Sequence, residues 1–141
     1  MTNLEQKCVA ALAAHEKALQ AVKAMTRRIG EAIARCPVSV EIAQSWETGA
    51  DVARLTDEKG KDKTHLWQAL TKRVGCDSGY GVRTLDAEEI NEELHDPECP
   101  HCIEAWELIQ QRKDARQQLG IQRRLIRYYG KRAMEAQEAS Q

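Results

Sequence analysis

The stretch Glu98-Cys99-Pro100-His101-Cys102 decides how the second half of this chain folds. Proline suits the first position of a helix, where no backbone N–H is needed, so Pro100 predicts a helix start with Cys99 as the N-cap. Cys102 then occupies the third helical position. Both sulfurs lie near the positive end of the helix dipole, which favours thiolates that bind a metal or exchange with a disulfide.

Apolar residues continue beyond Pro100 in an irregular stripe, which predicts a long helix over residues 100–136. The stripe consists of Ile103, Trp106, Leu108 or Ile109, Ala115, Leu119, Ile126, Tyr129 and Ala133.

The first third of the chain predicts another long helix, over residues 3–35. Its apolar positions alternate steps of four and three residues, which is the spacing of a coiled coil. These seam positions are Leu4, Cys8, Ala11, His15, Ala18, Val22, Met25, Ile29 and Ala32. Pro37 ends the helix. We interpret Cys8 as a core residue and His15 as a hydrogen-bonded or partly exposed seam residue.

Short helices and loops are predicted between the two long helices. Residues 38–46 indicate a short helix, and residues 57–63 a charged loop. Residues 64–74 predict a helix that Thr64 caps and Gly75 ends.

The next segment predicts a loop and then an acidic helix. Residues 76–81 contain two glycines and favour turns. Asp86 begins the acidic helix, with Glu89 three residues later as in a capping box. Pro97 is expected to end this helix.

Together these elements predict an all-α fold, a long antiparallel helical hairpin with short helices and loops capping one end. Residues 1–141 are expected to form a single helical domain, with an irregular cap over residues 36–99. If the long helices are antiparallel neighbours, the end of the first lies beside the start of the last. This arrangement gathers Cys36, Cys76, His95, Cys99 and Cys102.

Four of the five cysteines therefore form a predicted structural zinc site. Tetrahedral zinc takes four thiolate or imidazole ligands, and a Cys-x-x-Cys pair at a helix start supplies two of them. The predicted ligands are Cys99, Cys102, Cys76 and Cys36, with His95 as the substitute ligand, followed by His101 and His65. Ordinary buried thiols without a metal are one alternative, and thiol redox chemistry is another.

The redox alternative comes from the tetrapeptide Cys-Pro-His-Cys, which is the same as in thioredoxin-like thiol oxidants. Those proteins place it after a buried strand in a βαβ pattern, whereas here it follows an acidic helix and a proline. Thiol–disulfide exchange is the only enzymatic function considered, and no catalytic residue is assigned. We expect a protein that is not an enzyme.

Composition predicts a cytoplasmic protein without a membrane segment. The polar N-terminus lacks the apolar core of a signal peptide, and no apolar run is long enough to span a bilayer. Because structural disulfides are rare in the cytoplasm, five cysteines favour metal binding, buried thiols or redox chemistry.

Charge is strongly segregated along the chain although the net charge is −1. Residues 84–111 include nine acidic residues and no Lys or Arg, whereas residues 112–132 include eight basic residues and one acid. A basic helix face of this kind is typical of phosphate contacts. The predicted binding residues are Arg112, Arg116, Arg123, Arg124, Arg127 and Lys131. The alternative is a solvated face that pairs with acidic residues of the same chain.

The last third of the chain resembles small accessory proteins of temperate bacteriophages. The similarity is carried by Cys-Pro-His-Cys, by residues 109–120 (IQQRKDARQQLG) and by residues 123–127 (RRLIR). It implies a small non-enzymatic protein that modulates host or defence machinery, as anti-CRISPR proteins do, and it transfers no binding residues.

The expected function is therefore that of an accessory protein or inhibitor that binds a host protein or nucleoprotein. Direct nucleic-acid binding by the basic helix is the first alternative, and thiol redox activity is the second. The coiled-coil seam of the first helix also suits a homodimer.

Overall fold

The computed structural model describes residues 2–37, 63–96 and 98–140 of the chain. Within them the elements follow in the order α1 (Asn3–Arg35), α2 (His65–Thr71), β1 (Arg73–Gly75), β2 (Val82–Thr84), α3 (Ala87–His95) and α4 (Pro100–Ala139). The two long helices, α1 and α4, pack together, which confirms the predicted all-α hairpin. None of the described helices is both long and apolar enough to cross a bilayer.

Some expectations fall outside the described residues. They are the short helix over 38–46, all but the last residue of the loop over 57–63, and the role of Pro97.

The chain divides into two compact units, to which both long helices contribute. We call Met1–Arg27 together with Leu108–Gln141 the hairpin unit, and Arg28–Glu107 the cysteine unit.

The hairpin unit is an antiparallel pair of helices. Near one end, Lys7 Nζ lies 6.0 Å from the centre of the Tyr129 ring. Near the other, Arg112 Nη1 donates a hydrogen bond of 3.2 Å to Thr26 Oγ1. Early residues of α1 thus face late residues of α4, as the sequence predicts. All nine predicted seam positions of α1 are buried or half-buried, which confirms the heptad pattern.

In the cysteine unit, two short helices begin with the predicted caps. Thr64 Oγ1 accepts a hydrogen bond of 3.1 Å from the backbone N–H of Trp67, and Thr64 itself is buried. At the start of α3, the Asp86 side chain accepts a hydrogen bond from the backbone N–H of Glu89. The Glu89 side chain in turn accepts one from the backbone N–H of Asp86. These caps satisfy N–H groups that a helix start leaves without partners.

One part of the cysteine unit differs from the prediction, because α2 ends at Thr71 and does not continue to residue 74. Arg73–Gly75 instead pairs with Val82–Thr84 in an antiparallel hairpin, with Val74 opposite Arg83. Gly79 and Gly81 have φ angles of 79° and 77°, which allow the tight turn between the strands. Gly75 therefore belongs to a strand and does not end a helix.

Among the described residues, the core of the cysteine unit is aliphatic on the side of α3. Ile90 and Leu94 are buried there, and Leu94 is 0% exposed. α2 contributes Leu66 and Ala69 to the buried residues of the same unit. Most of the hydrophobic stabilisation that α3 provides therefore comes from two side chains.

An ion pair connects β2 with the start of α3. The two terminal guanidinium nitrogens of Arg83, Nη1 and Nη2, donate hydrogen bonds to the Glu89 carboxylate, and Nη2 lies 3.2 Å from Oε2. This hydrogen bonding, together with the backbone N–H of Asp86, lowers the pKa of Glu89 from 4.5 to about 2. Glu89 therefore stays ionised over most of the acidic range.

We expect Leu94→Ala to lower the free energy of unfolding by about 2 to 5 kcal/mol, because it removes a fully buried side chain. Leu12→Ala is the matched control, since Leu12 is 54% exposed, and its effect should stay under about 1 kcal/mol. Urea unfolding followed by circular dichroism measures both. Equal losses in the two variants would contradict the described core.

We expect the Glu89 carboxyl to be still ionised at a pH where ordinary glutamates are half protonated. A folded-state pKa below the unfolded value contributes stability above pH 4.5, and this contribution disappears as the pH falls toward 2. Carboxyl-carbon chemical shifts measure the titration directly. Arg83→Met should raise the midpoint toward 4.5, and a midpoint near 4.5 in the unchanged protein would contradict the ion pair.

Candidate metal centre

Three helix ends supply the side chains of the candidate metal centre. Cys36 follows the last residue of α1, and its backbone N–H donates a hydrogen bond of 3.1 Å to the carbonyl oxygen of Ile33. His65 is the first residue of α2. Cys99 directly precedes α4, and its carbonyl oxygen accepts a hydrogen bond of 2.9 Å from the backbone N–H of Ile103. Cys99 is therefore the N-cap that the sequence predicts. Cys102 lies in the first turn of α4.

The ligand atoms of these four residues, three sulfurs and one ring nitrogen, all lie within 4.8 Å of one another. Cys36 Sγ is 3.8 Å from Cys99 Sγ and 3.1 Å from His65 Nδ1. Two thiolates bound to one tetrahedral zinc at about 2.3 Å are about 3.8 Å apart, so the sulfur spacing already suits zinc. The four residues are close enough to hold one metal ion.

The cluster is shielded from water on its sulfur side. Cys36, Cys99 and Cys102 are 1%, 3% and 0% exposed, whereas His65 is half-buried. Burial excludes water from competing for the sulfurs. The imidazole therefore forms the more accessible part of the cluster.

Burial also decides the acidity of Cys102. The position of Cys102 at a helix start favours a thiolate, as does the backbone N–H of Leu66, which donates 3.4 Å to Cys102 Sγ. Desolvation outweighs both effects and raises the pKa of the Cys102 thiol well above its usual range. Without a metal, burial thus favours the neutral thiol of Cys102. A bound cation would compensate the negative charge of the thiolate that forms when this proton leaves.

The structure brings together three of the four cysteines predicted as ligands, Cys36, Cys99 and Cys102. Cys76 is not in this cluster. It lies half-buried at the start of the turn between β1 and β2, where its backbone N–H donates 3.2 Å to the carbonyl of Gly81. The strand pairing, which the sequence did not predict, holds Cys76 in that turn.

His65 completes the cluster, although the sequence ranked it after His95 and His101. The predicted substitute, His95, is exposed, and its Nδ1 lies 2.7 Å from the carbonyl oxygen of Asn91 in its own helix. The signal for His65 is its neighbour: Thr64 caps α2, so His65 stands at a helix start, as Cys99 and Cys102 do. This position distinguishes His65 from His95, which lies at the end of α3, but not from His101, which also lies at a helix start.

The six basic residues predicted to bind a partner all belong to α4 in the hairpin unit. Five of them are exposed: Arg116, Arg123, Arg124, Arg127 and Lys131. Arg112 differs, because it is half-buried and donates to Thr26 across the helix pair. Arg112 therefore serves the packing of α1 on α4.

Comparison with protein-family models, curated proteins and solved structures finds no match for this chain.

We expect the five cysteines to differ in reactivity toward iodoacetamide. Cys8 and Cys76 are half-buried and should be alkylated first, whereas the three buried cysteines of the cluster should react at least about tenfold more slowly. Mass spectrometry of peptides from timed samples gives each rate. Fast labelling of Cys99 would contradict the described burial and would favour a redox role.

Proposed function

We propose that this protein is a non-enzymatic binding protein whose cysteine unit is held together by one structural zinc ion. Cys36, His65, Cys99 and Cys102 are the proposed ligands. The observation that carries the proposal is the approach of these four ligand atoms to within 4.8 Å of one another. Three thiolates and one imidazole are a common ligand set of structural zinc.

The ligand count favours a structural role over a catalytic one. Catalytic zinc keeps one of its four positions for water or substrate, whereas four protein ligands fill the tetrahedron. Zinc bound here joins the end of α1, the start of α2 and the start of α4 within one unit. Such a connection adds to a core in which few of the described large side chains are fully buried.

Thiol chemistry argues against the redox alternative. A redox-active Cys-x-x-Cys motif needs an accessible thiol with a lowered pKa. Cys99 and Cys102 are both buried, and burial raises the pKa of the Cys102 thiol. These properties suit metal ligands and oppose disulfide exchange with another protein.

The exposed basic face of α4 is the surface that we assign to a partner. Its arginines and lysines belong to the hairpin unit, whereas the proposed zinc ligands belong to the cysteine unit. Zinc thus has a structural role, and the partner meets a different set of residues. The accessory role suggested by the resemblance to phage proteins stays a prediction, as does the host partner.

We expect the purified protein to contain one zinc ion per chain, and His65→Asn or Cys102→Ser to lose it. Loss of a structural metal should lower the free energy of unfolding by about 3 kcal/mol or more. Native mass spectrometry measures the zinc, and thermal unfolding measures the stability.

Cys76→Ser is the matched control, because Cys76 is a half-buried cysteine of the same unit that lies outside the cluster. It should retain zinc. If Cys76→Ser loses zinc and His65→Asn keeps it, the ligand set predicted from the sequence is right and the one proposed here is wrong. If zinc is absent from every variant and from the unchanged protein, the proposed function fails.

A further inference from the structure

The two units of the chain carry opposite charges. The hairpin unit contains 12 basic and 5 acidic residues, a formal net charge of +7. The cysteine unit contains 9 basic and 17 acidic residues, a formal net charge of −8. The overall charge of −1 conceals a strongly cationic hairpin unit, and a surface of this kind attracts polyanions.

The cations of α4 form a continuous stripe. On a helical projection, Lys113, Arg116, Arg123, Arg127 and Lys131 fall in a sector of about 80°. All five are exposed. They extend over about 27 Å of helix at a rise of about 1.5 Å per residue. We call these five residues the basic stripe, and Arg124 lies at its edge.

Among the residues that the structure describes, these cations have no acidic partners. Across residues 2–37, 63–96 and 98–140, no salt bridge includes a residue of the basic stripe. Both carboxylates that α1 contributes to the hairpin unit are engaged elsewhere: Glu5 accepts a hydrogen bond from the backbone N–H of Thr2, and Glu16 accepts one from the Gln20 side chain. This observation opposes the alternative in which the basic face pairs with acidic residues of α1.

The composition of the stripe favours a phosphate backbone over an acidic protein. Between Lys113 and Lys131, the only other α4 residue in the same sector is Gly120. A stable protein interface usually has a central apolar anchor, and this sector of α4 has none between Lys113 and Lys131, although Ile109 and Met134 lie just beyond its two ends. A nucleic-acid backbone needs only cations at suitable spacing, and about 27 Å corresponds to about eight base-pair steps of a duplex.

The aromatic content favours a duplex over a single strand. Proteins that bind single strands stack bases on aromatic side chains. The hairpin unit has only two aromatic residues, Tyr128 and Tyr129. These two rings contact each other edge to face, and the Tyr128 hydroxyl accepts a hydrogen bond of 2.9 Å from Arg132. Neither ring lies in the sector of the basic stripe.

We propose that the basic stripe binds the phosphate backbone of double-stranded nucleic acid without reading its sequence. This inference rests on the binding role proposed above and names the chemistry of the partner. It does not depend on zinc, whose proposed ligands lie in the other unit.

The test measures binding of the full-length protein to a random-sequence DNA duplex of about 25 base pairs at several salt concentrations. Five phosphate contacts predict a slope of log affinity against log salt of about −4.5, which is a loss of about 500-fold between about 50 and 200 mM salt. One strand of the same DNA and poly-L-glutamate serve as comparison ligands, and we expect both to bind less tightly.

Arg123→Ala/Arg127→Ala removes two members of the stripe and should reduce the slope to about −2.7. Arg73→Ala/Arg132→Ala is the matched control, because it removes two exposed positive charges outside the stripe. It should leave the slope near that of the unchanged protein. Zinc content and thermal unfolding verify that each variant is folded.

Any of the following results would overturn the inference: no duplex binding at low salt, equal effects of the two double variants, or tighter binding of the single strand. Stripe-dependent binding of poly-L-glutamate in preference to the duplex would also overturn it and would support an acidic protein as the partner. In that case the proposed function stands. Failure of the proposed function is seen separately, as absence of zinc from the protein.

Discussion

The convergence of three sulfurs and one imidazole on one point is the constraint on which the cysteine unit depends. Cys36 and Cys99 are 63 positions apart in sequence, yet their sulfurs lie 3.8 Å apart. Among the described residues, few large apolar side chains are fully buried, and Leu94 is the largest of them. A metal ion held by these four residues would connect three helix ends within this unit.

Local signals in the sequence were reliable guides to α1 and to the starts of α3 and α4. The heptad spacing from Leu4 to Ala32 predicted the seam of α1, and Pro100 predicted the start of α4. The Asp86–Glu89 capping box predicted the start of α3. Each of these signals depends on contacts within a few residues, so it can be recognised without knowledge of the tertiary structure.

The strand pairing and the fourth member of the cluster could not be predicted in the same way. Val74 faces Arg83 only because a turn with two left-handed glycines joins the strands, and residues 73–75 alone also suit the end of a helix. His65 joins the cluster because α2 meets the start of α4, where the Leu66 N–H donates to Cys102. Both outcomes depend on how separate elements meet, which periodicity and spacing do not encode.

The cluster also has a consequence for the unfolded chain. Cys36 lies 29 positions from His65 and 63 positions from Cys99. A metal that bound these ligands before folding was complete would close a loop of either length, and each doubling of loop length adds only about 0.6 kcal/mol to the entropic cost of closure. The order in which His65 and Cys99 first meet the metal therefore matters little to the energetics of assembly.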